Sequence, residues 1–242
     1  MVTMNVAYAG PLGTNITVSD NNTGYVGIGI GSEDNETEPG TIHSQDWDLE
    51  AFFLNGNTLS MVGGYNFKDG VNYGNKLYTT GDIFIDVTGD AKYGTPSTWT
   101  GLNQYGWDYA IQMNFSNKTY EVWEINSATP VLTVSDVPSS NPWKLDGTPS
   151  GQPITGTFDF SSTTTNPYEG LTAWDSGTHY TVSGFDLGFL GIGKNFTVDY
   201  TISCGNDNMI GQGTTVPEPG TLVLLGLGIC GLAGFKKFSH KK

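Results

Sequence analysis

From Pro217 onward the chain obeys a different physics from the residues before it. Pro217 and Pro219 flank Glu218. Each proline fixes φ and lacks an N–H, so the backbone there stays extended and cannot join a sheet ladder or a helix interior. Fifteen residues without a charge follow, Thr221 to Phe235, and then Lys236, Lys237, Phe238, Ser239, His240, Lys241 and Lys242. As a helix, fifteen residues reach about 22 Å, against roughly 30 Å of bilayer hydrocarbon. So short a segment suits a weakly held span, with the bilayer thinned locally and the lysines snorkelling to its surface. Leu222, Val223, Leu224, Leu225, Leu227, Ile229, Leu232 and Phe235 supply the apolar surface. Gly226, Cys230 and Gly234 lie four apart, a small-residue face that lets a second helix approach. Lys236, Lys237, Lys241 and Lys242 set the orientation, holding the terminus on the positively biased cytoplasmic side. A plain C-terminal anchor or a hydrophobic terminal helix of the core fits the same residues.

Upstream of this tail the pattern is alternation broken by turns. The 34 glycines, with abundant Thr, Asn, Ser and Tyr, favour strands and turns over helices. Asp46 to Tyr65 is the clearest hairpin, with Trp47, Leu49, Ala51 and Phe53 on one face and Leu59, Met61 and Tyr65 returning after Asn55-Gly56. Trp107 to Ile125 is a second, with Tyr109, Ile111, Met113 and Phe115 aligned. Ile83, Ile85 and Val87 mark one more strand. Phe196, Val198, Tyr200, Ile202 and Cys204 mark the last. Asn15–Val18, Tyr25–Ile30, Val131–Val134, Thr155–Phe160 and Tyr180–Leu190 complete about ten strands.

The expected fold is therefore all-β, an antiparallel two-layer β-sandwich of jelly-roll-like type. It spans residues 10–205 as one ectodomain, or divides in two at the Pro-rich stretch Val137–Pro153. Residues 206–216, polar and Gly-rich, read as a flexible spacer. A single C-terminal hydrophobic helix then lies within residues 217–242. Residues 1–9 read as the remnant of a signal peptide. Ala7-Tyr8-Ala9 before Gly10 fits a small-x-small cleavage site, but the charged and apolar regions that should precede it are not in the sequence.

Charge divides along the same boundary. Residues 1–216 carry 6 Lys and 23 acids, the tail four Lys and Glu218, and there is no Arg. A body so acidic repels nucleic acid and anionic lipid, and nucleic acid is excluded as a partner. Cys230 lies in the tail, so Cys204 is left without a disulfide partner once the tail is removed; it reads as a buried small apolar side chain.

Motifs for chemistry are few. Val26-Gly27-Ile28-Gly29-Ile30-Gly31 lacks the third glycine of a dinucleotide fingerprint, because Ser32 and Asp34 occupy the required places. His43, His179 and His240 are scattered, with no Gly-x-Ser-x-Gly elbow. Asp46, Asp48 and Glu50, and likewise Asp82 and Asp86, read as the solvated faces of strands, so catalytic residues are not assigned and no enzyme is expected. No cofactor is expected either. Calcium is the one cation the chain suits, at Asp20, Asn21 and Asn22 and at Glu33, Asp34, Asn35, Glu36 and Glu38, although no EF-hand pattern accompanies them. Trp99, Trp143 and Trp174 lie in loops where aromatic faces stack on sugars or cap the sandwich.

The order Pro217-Glu218-Pro219, apolar Thr221–Phe235, basic Lys236–Lys242 closely resembles the PEP-CTERM sorting signal of exosortase substrates. The basic cluster of that family is more often arginine; here it is lysine. The resemblance implies a Gram-negative bacterial protein, exported and held transiently in the inner membrane. Exosortase, a membrane-embedded cysteine protease, would be its processing partner, with Pro217, Glu218 and Pro219 as recognition residues. The cell surface or the extracellular matrix, with its exopolysaccharide, would be the destination. Ser203-Cys204-Gly205-Asn206-Asp207 is similar to a strand end of many such surface proteins. A carbohydrate-binding module or adhesin, with a calcium-dependent form of binding among its modes, is the alternative function; a polysaccharide-active enzyme would instead need two facing carboxylates across a cleft.

Overall fold

The computed structural model describes residues 11–18, 37, 41–42, 44–92, 100–164 and 177–217. The signal-peptide remnant, the strand Tyr25–Ile30, both calcium loops, His43, Trp99, Trp174 and the hydrophobic helix lie outside them.

Sixteen strands are described. They begin with β1 (Thr14–Asn15), β2 (Thr17–Val18), β3 (Leu49–Asn55) and β4 (Thr58–Gly63). Next come β5 (Val71–Tyr73), β6 (Lys76–Tyr78), β7 (Ile83–Asp86), β8 (Tyr109–Asn114) and β9 (Thr119–Glu124). β10 (Val131–Leu132), β11 (Lys144–Leu145), β12 (Ile154–Thr157) and β13 (Asp159–Thr163) follow. β14 (His179–Asp186), β15 (Asn195–Thr201) and β16 (Asn208–Thr214) close the set.

Twelve of these strands make two antiparallel sheets, a five-stranded one ordered β1-β3-β4-β14-β13 and a seven-stranded one ordered β12-β9-β8-β7-β15-β16-β2. The body is thus the expected all-β, two-layer sandwich. Leu49, Phe52, Leu59, Met61, Val182 and Phe185 from the first sheet meet Ile83, Ile85, Ile111, Val122, Val198 and Tyr200 from the second. The alternations read at Ile83–Val87, Tyr109–Phe115 and Phe196–Cys204 all point into this core. Cys204 is buried there as a free thiol.

The chain changes sheet twice within a single extended run. Around Ile16, β1 pairs with β3 while β2 pairs with β16. Ile16 donates its N–H to Phe52 O on one side and accepts from Gln212 N–H on the other, each at 2.9 Å. Around Phe158, β12 pairs with β9 and β13 with β14. The expected single strands Asn15–Val18 and Thr155–Phe160 are therefore corners, the device by which strands turn from one layer to another.

Four other expectations are corrected. Residues 206–216 are not a flexible spacer: Asn208–Thr214 is β16, paired with β15 along its whole length. Its Met209 and Ile210 are fully buried. Polar composition misled here because glycines at 211 and 213 leave room for Val198, Phe52 and Phe196 from neighbouring strands. The face Trp47-Leu49-Ala51-Phe53 is also not continuous. A bulge between Leu49 and Ala51 sends Leu49 and Phe52 inward, and Ala51 and Phe53 to the outer face with Val62 and Leu12. Its turn lies one residue later than read: Gly56, at φ 62°, and Asn57 join Asn55 to Thr58, with glycine first, as a type II′ hairpin prefers. Finally, Val137–Pro153 does not divide the body. Leu145 N–H bonds Asp82 Oδ2 at 2.9 Å, and Val137 N–H bonds Cys204 O at 2.9 Å.

Burying Met209 and Ile210 contributes roughly 1.5–3 kcal/mol each. A chain ending at Pro217 should therefore unfold cooperatively like the full chain, while one ending at Gly205 should lose its near-ultraviolet circular dichroism. Thermal melts of the two truncations check this.

Candidate functional site

Two ends of the sandwich differ in chemistry. β3 runs from Leu49, beside Trp47, to Asn55, beside Asn57, and β15 and β16 span the same length in register from Asn195↔Thr214 to Thr201↔Asn208. Seven residues at about 3.3 Å each put roughly 23 Å between the ends.

At one end the chain leaves the body. Thr215 is buried; its hydroxyl donates to Gly191 O, and its N–H bonds Lys194 O at 2.9 Å. Val216 is gripped twice by the Asn57 carboxamide. Asn57 Nδ2 donates to Val216 O at 3.0 Å, and Val216 N–H donates to Asn57 Oδ1 at 2.8 Å. Asn57 is itself fixed, its carbonyl accepting Leu187 N–H at 2.8 Å. Pro217 is exposed immediately beyond this clamp. Of the tail residues singled out, Pro217 alone is among the described residues. Glu218, Pro219, the apolar residues Leu222–Phe235 and the lysines lie outside them. Among the described residues no helix is long and apolar enough to cross a membrane.

The opposite end holds an aromatic groove of about 380 Å³, lined in part by Trp47, Tyr73, Tyr78, Asp136 and Asn206. Tyr73 and Tyr78 stand edge-on to Trp47 with ring centroids 6.1 and 5.3 Å away. Lys76 Nζ lies 4.5 Å from the Tyr78 ring centre and 3.8 Å from Asp136 Oδ2. Tyr73 is 58% exposed. The β5–β6 hairpin that presents Tyr73 turns at Gly74-Asn75, a dipeptide whose hairpin signal sequence reasoning passed over. Trp143, read as a sugar platform or a cap, is half-buried, with its backbone against Gly81, where a Cβ would sit 2.6 Å from Trp143 O, and its ring centre 6.0 Å from Lys144 Nζ.

The acids read as solvated are mostly buried. Only Asp46 is exposed; Asp48, Glu50, Asp82 and Asp86 are not, because both outer sheet faces are covered by loops and apolar clusters. Asp86 accepts the N–H groups of Thr88, Gly89 and Ala91, closing the turn after β7. Glu50, on the bulge, meets His179 Nδ1 at 2.6 Å, with Gln45 Nε2 donating to the same carboxylate oxygen at 2.5 Å. Burial first, and then the neighbouring Asp48 charge, push the Glu50 carboxyl up to about 9. The two side chains meet out of contact with water. Sequence spacing gave no sign of it, since the two residues lie 129 apart. Among the described residues no three His, Cys, Asp or Glu side chains are grouped to hold a metal.

Residues 215–237 match the family model of the PEP-CTERM protein-sorting motif. The chain thus carries this sorting motif, which supports exosortase-dependent sorting of an exported protein processed at the membrane. No curated protein and no solved structure matches the chain.

The sign of the pH dependence follows from Glu50. Its folded pKa lies above its unfolded value of about 4.3, so the native state holds the extra proton. The stability this contributes is complete at low pH and is lost as pH rises toward about 9. Asp82, pushed up to about 6 by burial, acts in the same direction over its lower range. Between pH 6.5 and 8.5, wild-type stability should fall with pH, and Glu50→Gln should remove up to about 1.4 kcal/mol per pH unit of that slope. Urea titrations at a series of pH values measure it.

Proposed function

We propose that this chain is a non-enzymatic exported protein that exosortase processes through Pro217, Glu218 and Pro219 and that then resides at the cell surface or in the extracellular matrix, in contact with exopolysaccharide. Thr221–Phe235 serves as the transient inner-membrane segment, and the terminal lysines orient it. One observation carries the proposal. The sorting motif starts where the last strand ends, so removing the tail beyond Val216 leaves both sheets, the core and the Asn57 clamp whole. The non-enzymatic part draws on the buried acids: Asp86 and Asp82 bond backbone N–H groups, and Glu50 bonds His179 and Gln45, so these groups serve the fold.

Mass spectrometry of the C-terminus tests the processing step. The protein from wild-type cells should lack Lys242. The same protein from cells without exosortase, or carrying Pro217→Ala, Glu218→Ala and Pro219→Ala together, should retain it. An intact Lys242 in wild-type cells removes the proposal.

The aromatic groove favours a second reading, a carbohydrate-binding module or adhesin. An exposed tyrosine face buries the apolar C–H surface of a sugar ring, while Lys76 and Asp136 offer polar partners at the rim. On a glycan array, the processed protein should bind a saccharide, and Tyr73→Ala should weaken binding roughly tenfold, equivalent to about 1.4 kcal/mol. Repeating the array with chelator separates a calcium-dependent mode, and an array without signal removes this reading.

A further inference from the structure

We infer that the end of the sandwich formed by Ile192, Lys194 and Val216 is a lipid-contacting surface that rests on the bilayer while the tail is uncleaved. The inference depends on the reading of Thr221–Phe235 as a transient membrane segment.

The tether is short. The Asn57 clamp fixes Val216 to the tip of the β3–β4 hairpin. From there to Leu222, the first leucine of the apolar segment, six residues reach at most about 22 Å. Crossing the headgroup layer takes roughly 5–8 Å of this. The body's exit end is thus held close to the membrane surface, and the body cannot stand upright on its far end, which lies roughly 23 Å further along the strands.

The surface presented there suits an interface. Ile192 is 70% exposed and Val216 41% exposed. Both belong to one rigid unit, since Gly193 N–H bonds Thr215 O at 2.9 Å and Lys194 N–H bonds Thr215 Oγ1 at 2.9 Å. Exposed Lys194 supplies a cation for lipid phosphate. Of the exposed acids near this end, Asp186 accepts Gly188 N–H at 2.8 Å and Asp90 accepts the Thr88 hydroxyl at 2.7 Å, while Glu124, opposite Tyr109 beside Phe189, faces water. An isoleucine so exposed on an acidic, otherwise polar body is costly in water and favourable among headgroups and upper acyl chains.

Environment-sensitive thiol fluorophores on the full chain, added to phosphatidylethanolamine–phosphatidylglycerol vesicles, test the inference. Cys204 is buried, and burial pushes its thiol up to about 11, so it escapes labelling. The native Cys230 reports tail insertion. Ile192→Cys and Leu77→Cys, each with Cys230→Ser, report the exit end and the far end. The expected result is a blue shift at positions 230 and 192, quenching of the 192 probe by headgroup-level nitroxide lipid, and an unchanged 77 probe. If position 230 shifts while 192 stays as aqueous as 77, the lipid-contacting surface is overturned and the membrane tail stands. If position 230 does not shift, the tail reading falls and this inference falls with it. A second variant, Ile192→Asp, should abolish the quenching contact near Val216, read from a probe at Val216→Cys, and leave the Cys230 shift intact.

Discussion

The two layers of the sandwich share one core and are joined covalently where the chain crosses between them at both sides. At Ile16 the crossing is made by one residue whose N–H serves the five-stranded sheet and whose carbonyl serves the seven-stranded one. At Phe158 the side chain is buried between the sheets while Phe158 N–H bonds Lys118 O at 3.0 Å. Each sheet thereby ends in strands covalently continuous with an edge of the other. A sheet edge offers unpaired backbone groups to any passing strand. Here the short edge strands bend away into the opposite layer, which leaves little length for such pairing.

The layers are also tied by polar contacts at the turn between β15 and β16. Gly205, at φ 72°, lets the chain reverse. Asn206 then bonds both the N–H and the carbonyl of Ile42. Asp207 accepts Asn208 N–H at 2.8 Å and, from the opposite sheet, Leu49 N–H at 2.5 Å. These side chains are almost completely buried, so each contact is made where an unpaired group would be costly. The Cys-Gly-Asn-Asp run is thus a structural joint, and the strand it launches, β16, carries the chain back to the opposite end.

Legibility in the sequence followed the geometry of burial. Where one strand face meets the central core, as at Ile83–Ile85 and Phe196–Cys204, period-two alternation reported it correctly. Where loops cover the outer faces as well, the period dissolves. Phe84, Trp107 and Trp123 form a second cluster on the outside of the seven-stranded sheet, so neighbours on both faces are apolar and the acids between them become buried. A bulge does further damage, because one added residue reverses every side chain beyond it. That single event at Glu50 concealed both the true inward face of β3 and the pairing with His179. The tail was legible for the opposite reason: its order of proline, apolar run and lysines is local and needs no tertiary partner.

The two ends of the body owe their difference to the direction of its last strand. β16 could have finished at either end of the sandwich; because it runs from Asn208 to Thr214, the exit lies beside Asn57 and Lys194, opposite Trp47 and Tyr73. The aromatic groove therefore lies at the end opposite the point where Val216 leaves the body. Its described lining residues run no further along the chain than Asn206, ahead of β16 and the sorting motif. Among the described residues both sheets are complete at Thr214, so the folding of the body and the processing that the sorting motif supports draw on separate stretches of chain. The strand that sequence composition disguised as a spacer is what separates these two events in space.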